Sequence, residues 1–197
     1  AAEAPSLASG PGVLRAEWET PRQAEDLALQ EPDDSREMLN ARWIWSYYSG
    51  SGTYVGVYDT GVWTGHPDLA PAVVSGPPDS TGHGTAVCGA IASRGQVDLG
   101  CDFNGRGMGR AAGLYVIGRP SSPTPAEFSA AMLDLQGYGC FAANNSWGAE
   151  PSGYDLFCEY ADAAADSGLT IVCAAGNNGA AGPVVSPSVL SVILTPL

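Results

Sequence analysis

Two residues of this 197-residue chain carry the types and settings expected of acid–base chemistry, Asp59 and His83. Tyr54-Val55-Gly56-Val57-Tyr58 is a short apolar, β-branched and aromatic run that stops at Asp59-Thr60-Gly61, which predicts a buried strand delivering a carboxylate at its C-terminal tip. Asp79-Ser80-Thr81-Gly82-His83-Gly84-Thr85 leads into the small-residue run from Ala86 to Ala92, so His83 is expected at or just inside a helix N-terminus. If folding joins the two, the carboxylate holds the imidazole in one tautomer and stabilises its charged form. Such a pair runs acyl transfer only with a nucleophile beside it.

The elements that must position this pair read as alternating strands and helices. Leu114-Tyr115-Val116-Ile117, Cys140 to Asn145, Leu169 to Ala175 and Val189 to Leu194 are further strand candidates. Helices are expected from Gly84 to about Ser93, from Thr124-Pro125-Ala126-Glu127 to about Tyr138, and from about Tyr154 to Asp166. That alternation predicts a parallel sheet with helices on both faces, whose functional residues gather at the carboxyl ends of the strands. Asp59, Ser146-Trp147-Gly148 and Asn177 all fall at such ends.

Residues 1–40 are rich in Pro, Gly and acidic groups and read as an extended arm or pro-segment remnant, ahead of a main domain over 41–197. Asp34-Ser35-Arg36-Glu37 has the pattern of a cap for a short helix through Trp43. The aromatic cluster Trp43, Trp45, Tyr47 and Tyr48 is expected to pack against the main domain.

Acidic residues outnumber basic ones 21 to 8, a net charge of -13, and every basic residue is Arg. That balance argues against nucleic acid and anionic membrane as partners. No apolar run approaches the ~20 residues that cross a bilayer. The start, Ala1-Ala2-Glu3-Ala4-Pro5, has no basic n-region and no apolar core, as expected of a mature terminus of a secreted or extracytoplasmic protein. Five cysteines with no Cys-x-x-Cys pair do not suggest zinc. Cys88, Cys140 and Cys173 read as small buried hydrophobes, and Cys101 and Cys158 as either bonded or free.

Asp-Thr-Gly alone also occurs in all-β aspartic proteases, but the strand–helix alternation does not fit them. The ordered set Asp59-Thr60-Gly61, His66-Pro67-Asp68-Leu69, Gly82-His83-Gly84-Thr85, Asn144-Asn145-Ser146-Trp147-Gly148 and Ala174-Ala175-Gly176-Asn177-Asn178-Gly179 resembles the subtilisin-like serine proteases over about residues 40–197. The resemblance implies a three-layer α/β fold that is incomplete in this chain. It makes Asp59 the catalytic acid, His83 the general base and Asn177 the side-chain donor of the oxyanion hole. Ser146, Trp147 and Gly148 match the edge that pairs with an extended peptide substrate, and with Ala174, Ala175 and Gly176 they line the pocket for the residue before the scissile bond. Trp147 is large for that edge and is expected to narrow or cap a neighbouring subsite. His66 matches a structural position. Asp68 matches a position that binds calcium in many relatives, with Asp102 and Asn104 as further candidate ligands, although an Asp-capped turn is an equal alternative. No cofactor is required.

The family's nucleophile lies in a Gly-Thr-Ser-x-Ala segment, and none occurs here. The expectation is a serine endopeptidase in which a separate C-terminal fragment of the same precursor, cut near Leu197, supplies the serine. The alternatives are a longer protein represented in part, or an inactive relative that serves as a binding or structural module. The short Gly179 to Ser188 loop, with no well-placed acid, favours an apolar residue before the scissile bond.

Overall fold

In a computed structural model that describes residues 41–97, 105–148 and 154–174, the apolar run before Asp59 is a strand, β1 (Tyr54–Asp59). It is the middle of a five-stranded sheet with β2 (Val73–Ser75), β3 (Gly113–Gly118), β4 (Ala142–Asn145) and β5 (Thr170–Cys173), in the order β2-β3-β1-β4-β5. Every pairing is parallel. β1 runs level with β3 from Tyr54↔Gly113 to Asp59↔Gly118, and its other edge pairs with β4 through Val57↔Asn144.

Period-two alternation sends successive side chains of β1 and β3 into two separate cores. Val57, Leu114 and Val116 pack with Val87, Cys88 and Ala92 of α2 (His83–Ala92). Tyr58, with Tyr115 and Ile117, packs on the other side with α3 (Pro125–Gly137) and α4 (Leu156–Asp166). The sheet is therefore covered on both faces, as the near-continuous apolar strands require. Leu135 of α3 is fully buried, and the missing side chain of Gly56 makes its place: a Cβ there would meet Leu135 Cδ1 at 2.6 Å.

Two helices start where local chemistry dictates. The Thr124 hydroxyl accepts from Glu127 N–H at 3.3 Å while the Glu127 carboxylate accepts from Thr124 N–H at 2.7 Å, the reciprocal cap that Thr-Pro-Ala-Glu predicts. The helix expected from about Tyr154 begins at Leu156, because the Asp155 carboxylate accepts from Phe157 and Cys158 N–H groups at 3.0 and 3.1 Å.

The structure differs from the sequence reading in two places. β2 was not expected: Val73-Val74-Ser75 is too short to show a period, and its neighbours Pro71, Pro77 and Pro78 read as loop. Of the aromatic cluster, only Trp45, in the short helix α1 (Ala41–Trp45), packs inward, with Nε1 donating to the Met108 carbonyl at 2.8 Å. Trp43, Tyr47 and Tyr48 are 66–71% exposed. The arm over 1–40, its expected cap at 34–37 and the expected strand at 189–194 lie outside the described residues.

Leu135→Ala tests the α3 layer. It should lower unfolding free energy by about 2–5 kcal/mol, read from a urea midpoint at unchanged slope. A loss under about 1 kcal/mol would mean that Leu135 is not packed as described.

Candidate active site

Folding does join the two residues that the sequence singles out. Asp59 ends β1 with no exposed surface, His83 is the first residue of α2, and His83 Nδ1 lies 2.7 Å from Asp59 Oδ1. An ionised carboxylate only accepts, so the proton of this bond sits on Nδ1 and Nε2 keeps its lone pair. His83 is 39% exposed at its side chain, and among the described residues Nε2 has no partner. Oδ1 also accepts from Thr60 N–H at 2.7 Å, whereas the sealed Oδ2 has no hydrogen bond among the described residues. A buried carboxylate with one empty oxygen depends on the charge and donors at the other.

Around this pair, side chains replace the usual cap of α2. The N-cap residue Gly82 is left-handed at φ 88° and has no side chain to offer. Three neighbours take the first three amides instead: Thr81 Oγ1 accepts from His83 N–H at 3.3 Å, Thr60 Oγ1 from Gly84 N–H at 3.0 Å, and Asp79 Oδ2 from Thr85 N–H at 2.8 Å. Asp79 is the hub. Its Oδ1 accepts from the Thr60 hydroxyl at 2.7 Å and Thr81 N–H at 3.0 Å, and its Oδ2 from the Thr85 hydroxyl at 2.5 Å. A negative charge at a helix N-terminus is favoured by the helix dipole as well.

The helix start also approaches the strand tip closely. A Cβ on Gly84 would lie 2.1 Å from the Gly61 carbonyl oxygen, so only glycine lets α2 reach the Asp-Thr-Gly turn. Gly61 itself has φ +117°, and a Cβ there would meet the Pro78 carbonyl oxygen at 2.4 Å.

The edge segment leaves β4 at the same end of the sheet. Val57 pairs with Asn144, and continuing that register brings Ser146 level with Asp59. Trp147 does not stand out as a cap. It is 7% exposed and turned inward, edge-on to Tyr58, Phe128 and Phe157 with ring centroids 5.6–5.8 Å away. Gly148 follows it, and Ala174 N–H donates to the Asn145 carbonyl at 3.0 Å, which holds the end of β5 beside the edge. Ala175, Gly176 and Asn177 lie outside the described residues.

Asp68 is 4% exposed, and its Oδ1 accepts from the N–H groups of Gln96 and Val97, so the capped turn is present. Among the described residues no group of three or more His, Cys, Asp or Glu could hold a metal ion, and Asp102 and Asn104 fall outside them. The described part of this site therefore offers calcium one already engaged carboxylate. His66 Nδ1 accepts from Asp68 N–H at 3.2 Å, and its ring stands edge-on to Trp63.

The sequence reading assigned no role to Asp79, Thr60 or Thr85. The one signal was Asp79-Ser80-Thr81, whose Asp is placed to accept from the amide two residues on. Burial alone would push the Asp79 carboxyl up. The hydrogen bonds from Thr85, Thr81 and Thr60 outweigh it and hold the group far below its ordinary 3.8. A depressed folded value means that the stabilisation is present above the unfolded value and is lost as pH falls toward the folded one. The wild-type protein should therefore lose stability as pH drops below about 4, and Asp79→Asn should be less stable at pH 7 with a flatter acid limb. Thermal melts of both proteins from pH 7 to pH 2.5 check this; equal acid limbs would show that the network carries no charge-dependent stability.

Comparison with known proteins gives a consistent result. The model of the subtilase family matches residues 50–195. The chain is 32% identical over 145 residues to subtilisin DY of Bacillus licheniformis, a match covering 68% of this chain and 51% of the relative. It is 34% identical over 142 residues to subtilisin Savinase of Lederbergia lenta, covering 67% and 50%. The solved structure of sphericase superposes with a TM-score of 0.58 at 28% identity, over 71% of this chain and 51% of that one. The chain thus spans about half the length of the curated relatives it matches. With the family's fold, motif order and Asp–His contact all present over most of its length, the chain belongs to the subtilase family of subtilisin-like serine proteases.

Proposed function

We propose that this chain supplies the acid–base half of a serine endopeptidase. The observation that carries the reading is the 2.7 Å contact between His83 Nδ1 and buried Asp59, which leaves Nε2 of a partly exposed ring free to take a proton. The nucleophilic serine comes from polypeptide outside these 197 residues. A C-terminal fragment of the same precursor, separated by cleavage and held non-covalently, is the form proposed here. An extended peptide lies along Ser146, Trp147 and Gly148, with Ala174, Ala175 and Gly176 lining the pocket before the scissile bond.

In this reading the serine Oγ bonds to the peptide carbonyl carbon as its proton passes to His83 Nε2. Asp59 stabilises the imidazolium through Nδ1–H. Asn177 and a backbone N–H hold the oxyanion, an arrangement worth roughly 3–4 kcal/mol per side-chain donor. The imidazolium then protonates the leaving amine, and water releases the acyl group by the same route. The reading invokes no cofactor. An extracytoplasmic location belongs to the same proposal and rests on the family; no helix among the described residues is long and apolar enough to cross a membrane.

A fluorophosphonate probe applied to the protein isolated from its natural source, followed by intact-mass analysis, tests where the serine lies. Label on a second polypeptide supports a separated fragment, label on one longer chain supports a continuous enzyme, and a lone unlabelled 20.1 kDa species would favour an inactive binding module. In the assembled enzyme, Asp59→Ala and His83→Ala should each cut kcat by roughly 10⁴-fold or more. Near-normal turnover in either variant would remove that residue from the mechanism.

A further inference from the structure

β3 ends at Gly118, level with Asp59, and the next residue enters the space beside the edge segment. Arg119 N–H donates to the Asp59 carbonyl at 2.6 Å, and the Arg119 guanidinium stacks 5.7 Å from the Trp147 ring centre. Among the described residues only one of its three nitrogens is engaged: Nη1 donates to the Pro120 and Ser121 carbonyls at 2.9 and 3.4 Å, while Nε is sealed from solvent with no acceptor. No carboxylate pairs with Arg119 among the described residues.

One neighbour repeats the pattern. Trp147 Nε1–H is also buried without an acceptor among the described residues, and the Tyr58 ring stands edge-on to Trp147. The nearby acid is Glu127. Its carboxylate is spent on the Thr124 N–H at 2.7 Å and the Thr124 hydroxyl at 2.9 Å. The Tyr58 hydroxyl feels both charges: burial pushes its pKa up first, Glu127 adds to that, and Arg119 pulls it back. Arg119 and Trp147, stacked on each other, therefore each hold a buried donor that lacks an acceptor among the described residues. Orphaned buried donors are costly in a folded protein, so this corner of the molecule is short of acceptors and carries an uncompensated positive charge.

We propose that Arg119, backed by Trp147 and Tyr58, is a specificity-determining residue that selects an acidic side chain on the acyl side of the scissile bond. In the proposed binding mode the edge Ser146–Gly148 lays the substrate's acyl side past this point, and a guanidinium with Nη2 unengaged and no carboxylate partner among the described residues is matched to a carboxylate in charge. The inference rests on the proteolytic reading above and deepens it by naming a substrate class.

Paired quenched peptides, identical except for Glu or Gln at each position preceding the scissile bond, test it in the assembled enzyme. Wild type should show a Glu-to-Gln ratio of kcat/KM of about tenfold or more at one position, the size of a hydrogen bond to a charged group. The ratio should fall to near one in Arg119→Gln and be intermediate in Arg119→Lys, which keeps the charge and loses the planar guanidinium. Because each ratio is taken within one protein, partial loss of folding does not mimic the effect. A wild-type ratio near one at every position, or a ratio that survives Arg119→Gln, overturns the inference while proteolysis stands. Failure to cleave any peptide, with no fluorophosphonate label, overturns the proteolytic reading and this inference with it.

Discussion

The approach of α2 to the tip of β1 is the constraint on which this end of the molecule depends. Gly84 sits against the Gly61 carbonyl with no room for a Cβ, and that contact sets how near the first helical side chain comes to the last strand side chain. His83 reaches Asp59 because both are the terminal residues of rigid elements held at that spacing. The Asp79 carboxylate then fixes direction as well as distance. By holding Thr60 and Thr85 it ties the turn after β1 to the first turn of the helix, in a place where the N-cap glycine offers nothing. A site placed by elements and locked by a hydrogen-bonded frame keeps its geometry with little rotamer freedom to lose.

The same end of the sheet shows how two-sided burial assigns roles. Odd and even positions of β1 feed different cores, so Val57 anchors the layer of α2 and Tyr58 the layer of α3 and α4. Asp59 comes next in that alternation and is as buried as its apolar predecessors, although it is a carboxylate. The sheet thus treats the acid as a core residue, and its one hydrogen-bonded oxygen faces His83 and the Thr60 amide. Trp147 follows from the same packing. A large ring leaving β4 at this level finds Tyr58, Phe128 and Phe157 beside it and joins them, which carries its N–H inward.

Much of this was legible in the sequence where local signals were strong. The apolar run into Asp59, the Thr124 cap and the small-residue helix after His83 each have one physical reading, and each stands in the structure. β2 was not legible because three residues pairing at the sheet edge carry no period, and their strand identity comes from β3 alone. The inward turn of Trp147 was not legible either: the motif fixes its backbone, but the aromatic partners that draw the ring inward come from α3 and α4. Asp79 is a similar case. An Asx turn is visible locally, whereas its ties to Thr60 exist only once β1 and α2 meet.

The strand order has a consequence for how such a molecule is made. β1, the first strand among the described residues, ends up in the middle, flanked by β3 and β4 rather than by the strand that follows it. Its two edges stay open until both later strands have emerged, and pairing across such long separations is slow because loops must close before contacts reward them. During synthesis the carboxylate of Asp59 thus spends its early life in water, and it enters its dry position only when the second half of the sheet arrives. Assembly of the sheet is in this sense the step that completes the setting of Asp59 and His83, and a ribosome-bound chain stopped before β4 would carry both residues with the β4 edge of β1 still unpaired.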